Sequence, residues 1–309
     1  MSIKLPTVLI LGAGASHPYG FPLGVELRDL ICEQTTDIRF TAPLRQLGFE
    51  PDATKEFGQA LQHSGFGSVD AFLETSPEFA AIGKTAIALT LLPLEQRAKL
   101  FPPKAPKNGH WYQYLLGLMG VGTDDWAANR LTILTFDYDR SFEHYFCTVL
   151  ARRLKVSRLE AAKTFHIIDV IHLHGQLGTY PGLGSKPFGY GDGDLSLDDI
   201  ARAATSIRTI SEPSDLEVFV EAGKRISAAR RVFFLGFGFA DASMARLVSH
   251  TPTLTALLGA TSKGITDREW ARITKLHFKD RWSGKRFRRS VLEFLRSEVD
   301  LTYDPAPSP

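Results

Sequence analysis

Two histidines in the segment Ile171-His172-Leu173-His174-Gly175 are the first candidates for acid–base chemistry. Side chains alternate along a strand, so His172 and His174 are predicted to share a face, with His174 nearer the end where ligands bind. Gly175 leaves room beside it. A histidine there can act as a general base at neutral pH, but a hydrogen-bonded structural histidine fits the same pattern.

Acidic side chains are concentrated between Thr135 and Glu143, in the segment TFDYDRSFE. Asp137, Asp139 and Glu143 are predicted to lie at the end of a strand and in the first turn of the next helix. Acids at that position cap a helix and interact favourably with its dipole. Their spacing alone does not decide between a structural and a chemical role.

Glycines follow two other apolar runs. The turn Gly12-Ala13-Gly14-Ala15-Ser16 lies between a predicted strand and a predicted helix, where glycines let the backbone approach a diphosphate. His17 stands where the dehydrogenase fingerprint has its third glycine, which disfavours a simple hydride-transfer enzyme. The segment from Gly236 to Asp241, which includes Gly238, could approach an adenosine. A tight strand-to-helix turn with no ligand also explains the glycines at 12 and 14.

The strands that must position these motifs are short apolar runs ending in polar residues or glycine. They are predicted at Thr7–Leu11, Leu131–Thr135, Val170–Leu173 and Arg231–Leu235, with Leu254–Leu258 as a further candidate. Helical patterns between them predict an α/β fold: a Rossmann-like parallel sheet flanked by helices. In such sheets ligands bind at the strand ends, where all the motifs above are predicted to lie.

A single domain is predicted, with a Rossmann core at about residues 1–34 and 130–260. A mostly helical insertion occupies about 35–129, and a helical extension about 261–309. The individual helices are predicted at Leu23–Cys32, Thr85–Leu100 and Trp111–Met119. Two loops are predicted: residues 101–109, and the glycine-rich segment 175–196, which could become ordered over a ligand.

The composition is that of a soluble globular protein: 44% of the 309 residues are hydrophobic and 23% charged. The cysteines, Cys32 and Cys147, are too few and too far apart for a disulfide framework or a four-thiolate zinc site. We therefore expect a reducing compartment. The apolar run at the start is too short for a secretory signal or a spanning helix, so a cytoplasmic protein without a membrane segment is expected.

The charges are nearly balanced: 36 basic and 34 acidic residues give a formal charge of +2. Such a balance provides no general field for nucleic acid, so direct nucleic-acid binding is not expected and a small-molecule ligand is favoured. Local charge is concentrated in Lys275–Arg289, which has seven basic residues and one acid. It is interpreted as a solvated helix face, or alternatively as a docking patch for an acidic partner or nucleic acid.

Taken in order, these motifs resemble the sirtuin family, and more closely its divergent bacterial branch of NAD-hydrolysing anti-phage effectors. The resemblance covers roughly residues 6–245. The matching segments are Gly12–Ser16 with the family's Gly-Ala-Gly-x-Ser, Gly20–Pro22 with Gly-Ile-Pro, Thr135–Glu143 with Thr-x-Asn-Tyr-Asp-x-x-x-Glu, His174-Gly175 with the catalytic His-Gly, and Gly236–Asp241 with Gly-Tyr-Ser-x-x-Asp.

The resemblance implies that NAD is the substrate and that His174 and Asp137 are catalytic. It further implies that NAD is bound by Gly12, Ala13, Gly14, Ser16, Asp139, Gly175, Gly236 and Gly238. The expected reaction is glycohydrolysis to nicotinamide and ADP-ribose, with cyclisation of the product left open. His174 would accept a proton from a ribose hydroxyl or water, and Asp137 would stabilise the oxocarbenium-like ribose.

The chain departs from the family at two points. It has no cysteine after Cys147, so the four-cysteine zinc module of sirtuin deacylases is absent and no zinc is expected. Asp137 replaces an asparagine thought to position a ribose hydroxyl or the attacking water. The alternatives are therefore a catalytically silent subunit that binds NAD or ADP-ribose, and a deacylase or ADP-ribosyl transferase, which the missing module disfavours. If Asp137 works as a carboxylate, turnover should fall in acid.

Relatives of the resembled branch commonly drain cellular NAD when infection is sensed. By that resemblance the chain would be a defence effector, acting as a homo-oligomer, with a companion protein as sensor, or both. The basic segment near Lys279–Arg289 is a candidate for contact with the companion.

Overall fold

A parallel six-stranded sheet forms the centre of the described structure. The computed structural model describes residues 2–104, 109–120, 122–183, 189–191, 195–208, 214–254, 256–279, 282 and 284–303. Its strands are β1 (Thr7–Leu11), β2 (Leu131–Thr135), β3 (Asp169–His172), β4 (Arg231–Leu235), β5 (Leu257–Thr261) and β6 (Lys285–Phe287). Their order, β3-β2-β1-β4-β5-β6, is that of a doubly wound Rossmann sheet. The predicted fold class is confirmed.

The strand register brings the ends of the central strands to one level. Leu11 pairs with Thr135 on one side and with Leu235 on the other, and Thr135 pairs with His172. The segments that follow β1, β2, β3 and β4 consequently leave the sheet along the same edge. This register places all the motifs singled out in the sequence at the carboxyl edge.

Alternate residues of the central strands point into two separate cores. Leu9 and Ile133 belong to the core on one face of the sheet, while Ile10, Leu134 and Phe234 belong to the core on the other. Burial on both faces explains why these strands are continuous apolar runs rather than alternating ones.

The strand bounds agree with the prediction for β1, β2 and β4, while β3 begins and ends one residue earlier than predicted. The fifth strand is Leu257–Thr261 rather than Leu254–Leu258, because its buried residues begin at Leu258 while Leu254 is exposed. β6 was not predicted. It lies in the basic segment, so interpreting that segment as one helix face, and residues 261–309 as purely helical, is wrong.

Helices cover both faces of the sheet and fill the insertion. They are α1 (Ala13–Ser16), α2 (Gly24–Gln34), α3 (Ile38–Gln46), α4 (Pro51–His63), α5 (Val69–Thr75), α6 (Ala80–Leu91), α7 (Arg97–Leu100), α8 (Trp111–Leu118), α9 (Thr123–Ala127), α10 (Ser141–Leu154), α11 (Arg158–Phe165), α12 (Leu197–Ser206), α13 (Ser214–Ala228), α14 (Asp241–Ser249), α15 (Asp267–Phe278) and α16 (Val291–Ser297). Short 3-10 helices occur at His17–Tyr19, Pro77–Phe79 and Leu92–Leu94.

Two predicted helices differ in their bounds. The glycine turn is not an open loop before a helix at Leu23, because α1 begins directly at Ala13 and α2 follows at Gly24. The predicted helix Thr85–Leu100 is divided into α6, a 3-10 turn and α7. Pro93 accounts for the division, since it has no N–H for a continuing α-helical hydrogen bond.

The segment Pro77–Leu94 is long and apolar enough to cross a bilayer by length and composition. Half of it is buried inside the protein, where α6 packs against α2 and α12. Burial in the core accounts for its apolar character.

Parts of three predicted segments lie outside the described residues. These parts are residues 105–108 of the first loop, 184–188 and 192–194 of the glycine-rich loop, and 280, 281 and 283 of the basic segment.

Candidate functional site

A small cavity at the carboxyl edge of the sheet brings together residues from several of the predicted motifs. It has a volume of about 70 Å³. Its lining includes four residues predicted from the sequence, namely Ala13, Ser16, Asp137 and Asp139. The other walls include Phe21 and Pro22 after the glycine turn, Asp70 from α5, and the rings of Phe136 and Tyr138.

Asp137 lies at the centre of this arrangement. Its carboxylate accepts a hydrogen bond from the Ser16 hydroxyl at 3.2 Å, and its backbone N–H donates to the hydroxyl of Thr135 at 3.0 Å. Burial, together with the nearby charge of Asp139, raises the pKa of Asp137 to about 8, although the Ser16 hydrogen bond and His172 oppose the shift. The side chain is therefore mainly protonated at neutral pH.

Asp139 has the capping role that acids at this position commonly fill. Its Oδ1 accepts the backbone N–H of Ser141, the first residue of α10, at 3.0 Å. Burial raises the pKa of Asp139, while hydrogen bonds from Ser141 and Ser16 oppose the shift. Because Asp137 and Asp139 are close, ionisation of one disfavours ionisation of the other.

His172 is held firmly by two hydrogen-bonding partners. Its Nδ1 lies 3.0 Å from the carbonyl oxygen of Asp137, and its Nε2 lies 2.7 Å from Oε1 of Glu143. Burial alone would lower the pKa of His172, but the Glu143 carboxylate and the Asp137 carbonyl outweigh burial and raise it. These two hydrogen bonds indicate a structural role for His172, which orients the loop that carries Asp137.

His174 occupies a different environment. The prediction that it shares a face with His172 is wrong, because β3 ends at His172 and the chain turns through the next residues. The imidazole is 6% exposed, so it is buried rather than open to solvent. Its ring meets Phe136 edge-on at 5.1 Å and lies 6.3 Å from Tyr138, both of which line the cavity.

The polar surroundings of His174 leave one ring nitrogen available. Its Nδ1 is 3.8 Å from Oδ1 of Asp70, and its Nε2 is buried with no hydrogen-bond partner among the described residues. Burial lowers the pKa of His174; Asp70 opposes the shift and Arg246 adds to it. The imidazole is thus neutral at neutral pH and able to accept a proton.

Asp70 is the site residue that sequence reasoning missed. It lies in the first turn of α5 and accepts a short hydrogen bond from the Tyr138 hydroxyl. An acid in the first turn of a helix is a common dipole-complementing choice, so its position in the sequence carried no distinct signal. Only the packing of the insertion against the sheet brings Asp70 to His174.

The glycines of the first turn have a packing role. The N–H of Gly14 donates to the carbonyl of Gly236 at 2.9 Å, and the N–H of Gly12 donates to Leu235 at 3.2 Å. A Cβ on Gly14 would lie 2.8 Å from that Gly236 oxygen, and one on Gly236 would lie 2.2 Å from the backbone nitrogen of Ala15. These two amides already have partners within the protein, so close packing against Gly236 accounts for the glycines here, and diphosphate binding by this turn stays a prediction.

The remaining predicted glycines do not reach the cavity. Gly175 has φ +74°, and a Cβ there would lie 2.1 Å from the carbonyl oxygen of Ser206, so glycine is required for this close approach. Gly238 is exposed, with open space where a Cβ would be. The structure therefore brings Ala13, Ser16, Asp137 and Asp139 together, with His174 against the cavity walls, and leaves these glycines outside.

A buried ion pair fixes the loop that carries the two aspartates. Arg140 is fully buried and Glu95 is 2% exposed. The backbone N–H and Nε of Arg140 both donate to Oε1 of Glu95 at 3.1 Å, and a further short contact joins its guanidinium to Oε2. The segment from Asp137 to Arg140 is thereby attached to the insertion as well as to the sheet.

A larger cavity of about 470 Å³ runs along the edge strand β3. Its walls include Glu143, His172 and Gly175, but neither His174 nor Asp137. Glu143 and His172 are therefore accessible from this cavity, whereas His174 does not line it.

Metal ligands are not clustered in the part of the chain that the structure describes. No group of three or more His, Cys, Asp or Glu side chains there could hold a metal ion. We expect chelators to leave nicotinamide release unchanged and metal analysis to find no stoichiometric zinc. Loss of activity on chelation, with recovery on adding zinc, would contradict this prediction.

The fold and the site define an α/β protein with a Rossmann-type sheet and a buried cluster of carboxylates and a histidine at its carboxyl edge. No family model and no curated protein matches the chain. Among solved structures, that of Sir2Tm bound to a propionylated peptide is similar at 18% identity and a TM-score of 0.35, covering 94% of this chain and 90% of that one. A likeness of this degree assigns neither a family nor a substrate.

Proposed function

We propose that this protein is an NAD glycohydrolase that releases nicotinamide and ADP-ribose. The observation that carries the proposal is the 70 Å³ cavity lined by Asp137 and Asp139, with the buried His174 packed against its aromatic walls and the Nε2 of that histidine without a described partner. The choice of NAD as the substrate rests on the sequence resemblance to NAD-hydrolysing sirtuin-like proteins.

The reaction develops positive charge on the ribose. Departure of neutral nicotinamide from its pyridinium form leaves an oxocarbenium-like sugar, which a nearby negative charge stabilises. Burial raises the pKa of both Asp137 and Asp139, and in the proposed mechanism the pair holds one proton and one negative charge. Nε2 of His174 accepts a proton from the ribose hydroxyl or from the attacking water.

The raised pKa of Asp137 suggests how an aspartate replaces the family's asparagine. A protonated carboxyl has the shape of a carboxamide, with one donor and one acceptor. In this form Asp137 positions a ribose hydroxyl or water as the amide would, and Asp139 carries the charge. This assignment modifies the expectation that Asp137 acts as an ionised group.

The pH dependence of turnover tests this assignment. We expect wild-type turnover to be highest where Asp137 is protonated and to fall as the pH rises through about 8, the opposite direction from the acid fall predicted from the sequence. Asp137→Asn should retain turnover within a few-fold and lack this alkaline fall. The measurement is nicotinamide release between pH 5 and 9.5 under saturating NAD, with folding checked at each pH. A wild-type rate that instead rises through pH 8 would assign catalysis to the ionised carboxylate.

The size of the cavity bears on a second candidate function. Ligand pockets commonly span about 300–1,000 Å³, so NAD enters only if the lining side chains move. A site that stays closed around the reactive ribose would bind NAD or ADP-ribose without turnover, as a regulatory subunit does.

Incubation of the purified protein with NAD, with release of nicotinamide followed over time, separates the two functions. Release supports the hydrolase; binding without release supports the regulatory subunit and overturns the proposal. An acyl-peptide assayed in parallel tests the deacylase alternative, and separation of ADP-ribose from its cyclic form identifies the product.

By the same resemblance, the biological role proposed is depletion of NAD in antiviral defence, as an oligomer or with a companion sensor. The basic segment is a weaker docking candidate than its composition indicates, because Arg286 and Arg288 both pair with Asp267, at 2.8 and 2.6 Å. Purification of the native complex, followed by mass measurement, tests for either type of partner.

A further inference from the structure

A third cavity lies along α10 and has a volume of about 560 Å³. It shares no lining residue with the 70 Å³ cavity. Its residues on α10 run from His144 to Arg152, most of them in the half of the helix farther from Asp139. The cavity is therefore separate from the candidate catalytic site.

Permanent positive charges dominate the walls of this cavity. Arg97, Arg152, Lys155 and Arg158 line it, and no acid is among its described lining residues. Within the described part of the chain, Arg152, Lys155 and Arg158 form no ion pair, although the whole chain is nearly neutral. The nearby Glu160 carboxylate is already bound to the Ser157 cap. Three such cations, Arg152, Lys155 and Arg158, gathered around one cavity without ion-pair partners favour an anionic ligand.

The rest of the lining is suited to an apolar group and a further hydrogen bond. The ring of Phe101 is 39% exposed and stacks on Tyr145 at 5.2 Å, and Val156 is 37% exposed. The hydroxyl of Thr148 is buried with no hydrogen-bond partner among the described residues. Aromatic rings stack on nucleobases of any type, while arginines bind phosphates.

From these contacts we infer that the cavity is a binding site for a phosphate-bearing ligand of nucleotide size. The phosphates lie against Arg152, Lys155 and Arg158, and the base lies against Phe101. The volume is within the usual range for small-molecule pockets. The inference does not depend on NAD hydrolysis, because its residues are not part of the candidate catalytic site.

His144 provides a local reporter inside the cavity. It stacks on Tyr190 at 4.2 Å, and its Nδ1 lies 3.2 Å from the Tyr180 hydroxyl. Burial, with the positive charges of Arg97, Arg158 and Arg140, lowers the pKa of His144 to about 3. An anion bound beside it offsets those charges and raises its pKa.

The test compares ADP, pyrophosphate and adenosine by calorimetry at low ionic strength, where charge-dependent binding is strongest. We expect ADP and pyrophosphate to bind and adenosine not to bind. The double variant Arg152→Gln/Arg158→Gln should weaken the binding of both phosphate ligands by about tenfold or more. Lys163→Gln, which removes an exposed charge of α11 outside the cavity, should leave it unchanged.

Two further readouts locate the ligand. Phe101→Ala should weaken the binding of ADP by about tenfold and change the binding of pyrophosphate little, since only ADP carries a base. The ring resonances of His144 should shift with ADP in the wild type and not in the double variant. Equal affinity of the wild type and the double variant for both phosphate ligands would overturn the inference. Nicotinamide release by the double variant should match the wild type, which keeps this result separate from the proposed catalytic function.

Discussion

His174→Ala is expected to abolish nicotinamide release, with a loss of roughly 10²–10⁴ in turnover, the usual contribution of a general base. The imidazole is neutral and buried beside the cavity, and its Nε2 has no described partner to compete for a substrate proton. Its removal breaks no described hydrogen bond, so the variant should remain folded. Nicotinamide release and thermal unfolding, measured on the same preparation, check both parts.

His172→Ala is the matched control, because it removes the other histidine of the same segment. The His172 imidazole is hydrogen-bonded to Glu143 at 2.7 Å, and loss of the imidazole leaves the buried Glu143 carboxylate without this partner. We expect a loss of unfolding free energy of about 3–5 kcal/mol. If His174→Ala turned over NAD as fast as the wild type, the result would contradict the proposed mechanism. Equal destabilisation by the two variants would contradict the division of roles between the histidines.

Glu95→Ala is expected to lower the free energy of unfolding by about 3–5 kcal/mol, the usual cost of leaving a buried charge without its partner. Arg140 is fully buried, and the Glu95 carboxylate accepts hydrogen bonds from the backbone and the side chain of Arg140. Urea unfolding followed by circular dichroism measures the change. Because Arg140 directly follows Asp139, we also expect turnover to fall in the variant that remains folded.

Two further variants make this prediction specific. Glu221→Ala removes an exposed partner of Lys224 and Arg225 and should cost at most about 1 kcal/mol. Glu95→Ala/Arg140→Met removes both buried charges and should recover part of the stability lost in Glu95→Ala. A Glu95→Ala variant no less stable than Glu221→Ala would show that the pair does not hold the loop.

The sequence by itself determined the three central strands and the position of the motifs that follow the strands. The runs at Thr7–Leu11, Leu131–Thr135 and Arg231–Leu235 are apolar because both faces of a central parallel strand are buried, and polar residues or glycines end them. Such local patterns locate the strands that are buried on both faces. They also place the aspartate and histidine motifs at the carboxyl edge, since parallel strands end there together.

β6 was missed because it is an edge strand that is not buried on both faces. Its residues are Lys285, Arg286 and Phe287, at an edge of the sheet where two of the three side chains are charged. Edge strands commonly carry such charges, so no apolar run distinguishes them from a solvated helix face.

Only the tertiary structure decided what the site residues do. Asp70 reaches His174, and Glu95 reaches Arg140, through contacts between the insertion and the core that no local pattern encodes. The glycines at 14 and 236 are explained by the contact of two backbones from distant segments. The protonation of Asp137 depends on burial and on a second carboxyl beside it, which are properties of the folded chain rather than of the residue type.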